Sequence, residues 1–164
     1  MLPIFRQGSN EWQAADAVDP LPAYLPPVES PENDPARAGR WPLRLLSPKN
    51  HPFLNSSYGN LPAQLRHAGR QTVLINPRDA APRSIVEQSM VVVENDRGRL
   101  RAVAALTTDV APGVVVVPMG YWLEQGQLGT VNSLTPERYA DYGRAPTFSD
   151  TLVEVSAVAG AAPH

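Results

Sequence analysis

Ser47, Lys49, Asn50, His51, Asn55, Ser56, Ser57 and Asn60 crowd one short stretch of this chain, LRLLSPKNHPFLNSSYGNLP, which runs from 43 to 62. Amides, hydroxyls, an imidazole and an ammonium group together suit a ligand rich in hydrogen-bond donors and acceptors. The same residue types also collect in solvated turns, for reasons of turn chemistry alone. Composition leaves both readings open. Hydrolytic chemistry finds little support: Ser56 and His51 could serve as nucleophile and base, but nothing fixes their geometry, and there is neither a GxSxG elbow nor a paired acid motif. The chain has no Cys, which removes disulfides, thiolate metal sites and a cysteine nucleophile. The three His, at 51, 67 and 164, stand far apart with no carboxylate at ligand spacing, so a metal site built by protein ligands alone is not expected.

The elements around this stretch are mostly strands. Residues 42–46 read as a first strand, and the polar run after it cannot continue as a buried strand, because buried amides and hydroxyls are costly unless paired. Asn60, Leu61 and Pro62 read as a helix start, with Asn60 as cap, Pro62 in the first turn, Leu61 and Leu65 toward the core and Gly69 as the stop. A second strand is predicted at 71–75. Asn76-Pro77 then opens a short helix through Ala81, with Asp79 favourably placed at its positive end. Residues 89–94 and 99–107 form the clearest hairpin, turning at Asn95-Asp96-Arg97-Gly98. In its second arm Leu100, Ala102, Ala104 and Leu106 alternate with Arg99, Arg101 and Val103, which predicts one buried and one solvated face. The β-branched run 114–117 reads as a strand buried on both faces, and 151–155 as the last strand. About six strands with short helices suggest a small closed β-barrel.

Ahead of the barrel, residues 1–40 read as an arm. Pro3, Pro20, Pro22, Pro26, Pro27, Pro31 and Pro35 predict that neither helix nor central strand persists there. It is either a disordered tail or an extended segment laid on a surface and anchored by Trp12, Tyr24 and Leu25. Residues 157–164 read as a frayed end. Formal charge is −2, and all but one of the 14 basic residues are Arg, so no basic field points to nucleic acid. No stretch approaches the ~20 apolar residues that cross a bilayer, and the N-terminal residues lack the form of a signal peptide.

The polar stretch, together with INPRDAAPRSI (75–85), VENDRG followed by DVAPGVVVVPMGYW (93–122) and VNSLTPERYADYGRAPTFSDTLVEV (131–155), resembles the C-terminal molybdopterin dinucleotide-binding domain of the dimethyl sulfoxide reductase-type molybdenum oxidoreductases. The segments occur in order over roughly residues 40–156. The resemblance implies a mainly β fold, the double-psi β-barrel, and the cofactor molybdopterin guanine dinucleotide. Its pyrophosphate calls for N–H groups, hydroxyls and a cation, and its ring edges for amides and carbonyls. On this basis Ser47, Lys49, Asn50, His51, Asn55 and Ser56 are candidate cofactor residues, with Asn55 and Ser56 carried over most directly. His51 would stack on or donate to the pterin, or merely cap a turn. Asn132 would turn its amide toward the cofactor, or simply cap the turn at 134–136. Tyr121 and Trp122 would wall the site, or be plain core. Asn76, Asp79, Arg144 and Phe148 are weaker candidates.

Two departures from the family pattern stand out. Arg83-Ser84-Ile85 and Glu87-Gln88-Ser89 replace Arg-Gly-Ile and Asp-Gly-Asp, so two turn glycines are missing, and 141–145 is bulkier than the family's glycine-rich form. The resemblance also implies that the molybdenum ligand and any iron–sulfur motif lie in upstream domains, so this chain is not catalytic alone. Three functions follow as expectations: the cofactor-binding fragment of a larger oxidoreductase, partnered by its upstream catalytic domains or subunit; a separate small subunit similar to that of formylmethanofuran dehydrogenases; or a barrel that has lost the cofactor and serves as an interaction module. A cytoplasmic location is expected, any export signal lying upstream.

Overall fold

The computed structural model describes residues 3–5, 12–14, 24–125, 128–140 and 145–158. Strands β1 (Pro3–Phe5) and β2 (Trp12–Ala14) pair antiparallel. They are followed by helix α1 (Pro35–Arg40), strand β3 (Leu43–Leu46), helix α2 (Pro62–Ala68), strand β4 (Thr72–Ile75), helix α3 (Pro77–Ala80), strands β5 (Met90–Glu94), β6 (Arg99–Leu106) and β7 (Val114–Val116), and strand β8 (Leu152–Ala157). The last six strands close into a barrel in the order β3-β7-β4-β6-β5-β8.

Alternation along the strands builds the interior. Leu43 and Leu45, Val73 and Ile75, Val91 and Val93, Leu100, Ala102 and Ala104, Val115 and Val117, and Val153 and Val155 are all buried in one cluster, as a period of two on a closed sheet requires. Two pairings are parallel, β3 with β7 and β4 with β6, and the rest are antiparallel. In consequence β3 and β7 end at the same mouth of the barrel where β4 and β6 begin. The loops after β3 and β7, the residue before β4 and the β5–β6 turn therefore meet there.

Several expectations need correction. The proline-rich segment does hold regular structure: Pro35 occupies the first turn of α1, where a missing N–H costs nothing, and the Asp34 side chain caps the helix by accepting from Arg37 N at 2.9 Å. Tyr24 and Leu25 are not anchors, being 77% and 69% exposed; the buried residues are Glu29 and Ser30. The Trp12 side chain lies outside the described residues, as do Arg144 with most of 141–145 and the end of the tail at 159–164. The N-cap of α2 is Leu61 rather than Asn60, without a side-chain cap, and α2 buries no residue. Gly69 closes it at φ 68°. Val103 is buried where solvent was expected, and Val114 and Val116 are only partly covered.

The two missing glycines turn out to be compensated in place. Ser84 and Gln88 adopt φ 54° and 62°, so the left-handed turns are kept, at about 1–2 kcal/mol each for an L-residue. Asn76 caps α3 through Arg78 N and donates to Val110 O at 2.7 Å. Asp79 accepts from Gly113 N at 2.7 Å. These contacts tie α3 to the loop entering β7.

A surface pair joins the leading segment to the β5–β6 turn: Arg37 donates to Asp96 at 2.9 Å. The Arg37 hydrogen bond holds the Asp96 carboxyl below its usual range. A carboxyl depressed on folding contributes stability that is full above its unfolded pKa and vanishes as pH falls through the folded one. Melting temperatures from pH 6 down to about pH 3 are thus expected to fall less steeply for Asp96→Asn than for the wild type.

Candidate functional site

At the barrel mouth lies a cleft of about 480 Å³ lined by Asn55, Ser56, Gln71, Met119, Gly120, Tyr121, Trp122, Leu123, Glu124, Thr130, Val131 and Asn132. That size is within the usual range for small-molecule sites. The loop after β3 supplies Asn55 and Ser56. Asn55 sits at φ 55°, a conformation Asn tolerates better than most residues. Its backbone packs closely on the loop after β7: a Cβ on Gly120, itself at φ +113°, would stand 2.6 Å from Asn55 O. Trp122 Nε1 donates to Ser56 O at 2.7 Å, Gln125 Nε2 donates to Gly59 O, and Gln125 Oε1 accepts from Trp122 N at 3.1 Å. A Cβ on Gly59 would collide with Trp122 and with Gly120 O. The two loops are thus latched along one wall of the cleft, the side chains of Trp122 and Gln125 holding backbone carbonyls of the loop after β3.

Tyr121 is the hinge post of this wall. Its ring meets Phe53 edge-on with centroids 5.3 Å apart. Its hydroxyl accepts from Asn50 Nδ2 at 3.1 Å and donates toward Ala68 O at 3.1 Å. Burial pushes the phenol pKa up, and the Asn50 hydrogen bond only partly opposes this. Tyr121 therefore stays a protonated donor. Asn50 thus supports Tyr121 and does not itself line the cleft.

The cleft is also lined by Asn132, in the 3-10 turn Val131–Ser133. Among the described residues, its carboxamide and that of Asn55 have no partner. Asn132 does not cap the following turn with its side chain; its backbone carbonyl accepts from Thr135 Oγ1 at 3.1 Å instead.

The candidates do not all converge. Asn55, Ser56, Tyr121, Trp122 and Asn132 share the cleft. Ser47 and Lys49 line a neighbouring, nearly apolar groove of about 380 Å³ with Leu46, Pro48, Val116, Met119, Phe148 and Ser149. They do so because Lys49 pairs with Met119 in a one-residue parallel bridge that extends β3 and β7. Met119 borders both cavities. His51 is exposed and lines neither of them. Of the weaker candidates, Asn76 and Asp79 hold α3, while Phe148 lies in the groove.

Gln71 was not among the expected site residues. It immediately precedes β4, is 2% exposed, and its Oε1 has no hydrogen-bond partner. Its Nε2 reaches only Pro118 O, at 3.5 Å, the outer limit of a hydrogen bond. An unmet buried carbonyl costs about 1–3 kcal/mol, and such a group in a native fold calls for an explanation, often an unseen ligand or water. An orphan acceptor, two exposed carboxamides free to bind and Gly120 in the wall suit a flat, donor-rich group such as the pterin of the expected cofactor.

Residues 43–152 match the family model described as Molydopterin dinucleotide binding domain. The chain is 34% identical over 150 residues to the probable oxidoreductase YoaE of Bacillus subtilis (strain 168), covering 91% of this chain and 21% of that protein. It is also 34% identical over 153 residues to the dimethyl sulfoxide reductase DmsA of Escherichia coli (strain K12), covering 90% and 18%. The chain spans about a fifth of the length of these curated relatives. Acetylene hydratase from Pelobacter acetylenicus superposes with a TM-score of 0.72 over 84% of this chain and 21% of its own. At 20% identity that likeness speaks for the fold.

Proposed function

Because this chain belongs to the molybdopterin dinucleotide-binding domain family of the dimethyl sulfoxide reductase-type enzymes, we propose that its cleft holds one arm of the molybdopterin guanine dinucleotide cofactor of a molybdenum oxidoreductase. The observation that carries this reading is the convergence of Asn55, Asn132 and the orphan Gln71 on a single cleft. Asn55 and Asn132 would bind ring edges, and a ring N–H would give Gln71 Oε1 its missing partner. Tyr121 and Trp122 would exclude water from the bound face. Lys49, with the Ser47 hydroxyl beside it, offers a cation in the adjoining groove, reached past Met119. When bound, the cofactor supplies the molybdenum redox centre. The chain's own part is binding, orientation and water exclusion. The partners we propose are the remaining domains of an enzyme of the relatives' size, which would bring the metal ligand and the substrate contacts. Substrate choice would lie with those domains.

Titration of the chain with the dinucleotide, followed by quenching of Trp122, tests the reading. Asn55→Ala and Asn132→Ala are each expected to weaken binding about tenfold, the loss of one or two hydrogen bonds to a buried ligand. Equal affinity in all three proteins, or no binding by the wild type, would instead favour a barrel kept only as an interaction module.

A further inference from the structure

We propose that Glu29, on the segment ahead of the barrel, is a positioning residue for the cleft: by holding the Arg97 guanidinium it fixes the turn that carries Asn132. The inference rests on Asn132 as a cofactor contact.

The connection is short and continuous. Glu29 is 8% exposed, and a carboxylate so buried is rare unless paired. Its two oxygens take Arg97 Nη1 at 2.6 Å and Nη2 at 3.0 Å, a bidentate fork. With both terminal nitrogens committed, the third donor has one direction left. Arg97 Nε donates to Leu134 O at 2.7 Å. Leu134 closes the turn, its N–H donating to Val131 O at 3.1 Å, and Asn132 sits inside that turn. Asn95 Nδ2 donates to the same Leu134 O at 2.9 Å and to Leu152 O at 3.1 Å. Glu29 Oε2 also accepts from Leu152 N at 3.3 Å. One carboxylate thus faces Arg97, Arg37 at 3.1 Å and the first residue of β8.

The turn is fitted to this anchor and not merely tethered. A Cβ on Gly98 would stand 2.7 Å from Ser133 O, and one on Gly129 would overlap the Arg99 carbonyl. The backbone 129–134 is therefore seated directly on the β5–β6 turn that presents Arg97. Without the Glu29 carboxylate, the guanidinium is free to turn outward to water. Leu134 O then keeps only Asn95, and the turn gains a degree of freedom on the side that bears Asn132.

Four variants test this by affinity for the dinucleotide and by amide hydrogen exchange of residues 128–136. Glu29→Gln is expected to weaken binding about five- to tenfold and to speed exchange in that segment. Arg97→Lys retains a cation for Glu29 but has no Nε–H left for Leu134 O, and is expected to do the same even should Glu29→Gln fold poorly. Asp96→Asn, which loosens the segment's outer contact alone, should stay within twofold of wild type. The double variant Glu29→Gln/Asn132→Ala should bind no worse than Asn132→Ala by itself. If Glu29→Gln and Arg97→Lys lower melting temperature yet leave both affinity and exchange as in the wild type, Glu29 is structural only and the inference is overturned, while Asn132→Ala still reports separately on the cofactor reading. Absence of binding by the wild type defeats both.

Discussion

Gly120→Ala is expected to lower unfolding stability by about 3 kcal/mol and to abolish dinucleotide binding at concentrations that saturate the wild type. Two independent terms add. An alanine at φ +113° lies outside the conformations an L-residue adopts readily, a strain of about 1–3 kcal/mol. Its Cβ would also stand 2.6 Å from Asn55 O and 2.7 Å from the Phe53 ring. Neither neighbour yields easily: the first is backbone, and the second is buried and packed edge-on against Tyr121. Relief requires the loop after β3 to separate from the loop after β7, which breaks the Trp122–Ser56 hydrogen bond and moves Asn55 out of the cleft. Urea denaturation gives the first number and titration the second. Gly113 offers a control, because it too has a positive φ, +83°, but nothing stands within 4 Å of an added Cβ. Gly113→Ala is expected to show strain alone, with stability reduced and binding kept. Binding by Gly120→Ala with wild-type affinity would mean that the latch between the two loops does not shape the site.

The barrel was legible because its signal is local. Alternation along 43–46, 72–75, 90–94 and 99–106 reports each strand's inner face directly, and the hairpin turn at 95–98 announces itself by residue type. What the sequence hides is through-space. The polar loop read as one cluster, yet Ser47 falls on the same parity as Leu43 and Leu45 and is drawn inward with them, while His51, beyond the strand end, swings into solvent. Asn50, a candidate ligand residue by type, donates to Tyr121, 71 positions away, a contact that nothing local announces. Gln71 carries a usable signal. It shares parity with Val73 and Ile75, so its amide had to point inward, where an acceptor without a partner is anomalous. Glu29 carried none. It stands among prolines beside Glu32 and Asp34 with nothing to single it out, and Arg97, which takes both its oxygens, lies 68 positions downstream. Nor did the prolines mark a break at Pro35, where position within the first turn outweighs the residue's general effect on helices.

Leu134→Ala is the second substitution expected to have a large effect, and it separates packing from hydrogen bonding in the turn. The Leu134 side chain is 0% exposed within the core cluster. Truncation there removes transfer free energy and leaves a cavity, together about 3–4 kcal/mol in a well-packed interior. The backbone carbonyl survives the substitution, so Arg97 Nε and Asn95 Nδ2 keep their acceptor, and the turn remains tethered at its polar face while its apolar root is lost. Near 25 °C, where most molecules are still folded, dinucleotide affinity is therefore expected to fall by less than the tenfold assigned to Asn132→Ala. Stability, read as the urea midpoint, should fall by far more. Arg97→Lys should show the reverse pattern, a small change in midpoint and a clear loss of affinity. The two variants act on the same turn from opposite sides, and their ratio of effects tells which contact governs the position of Asn132. Should Leu134→Ala lose affinity in proportion to its loss of stability, the side chain in the barrel would hold the turn in place, and the clamp from Glu29 through Arg97 would be secondary.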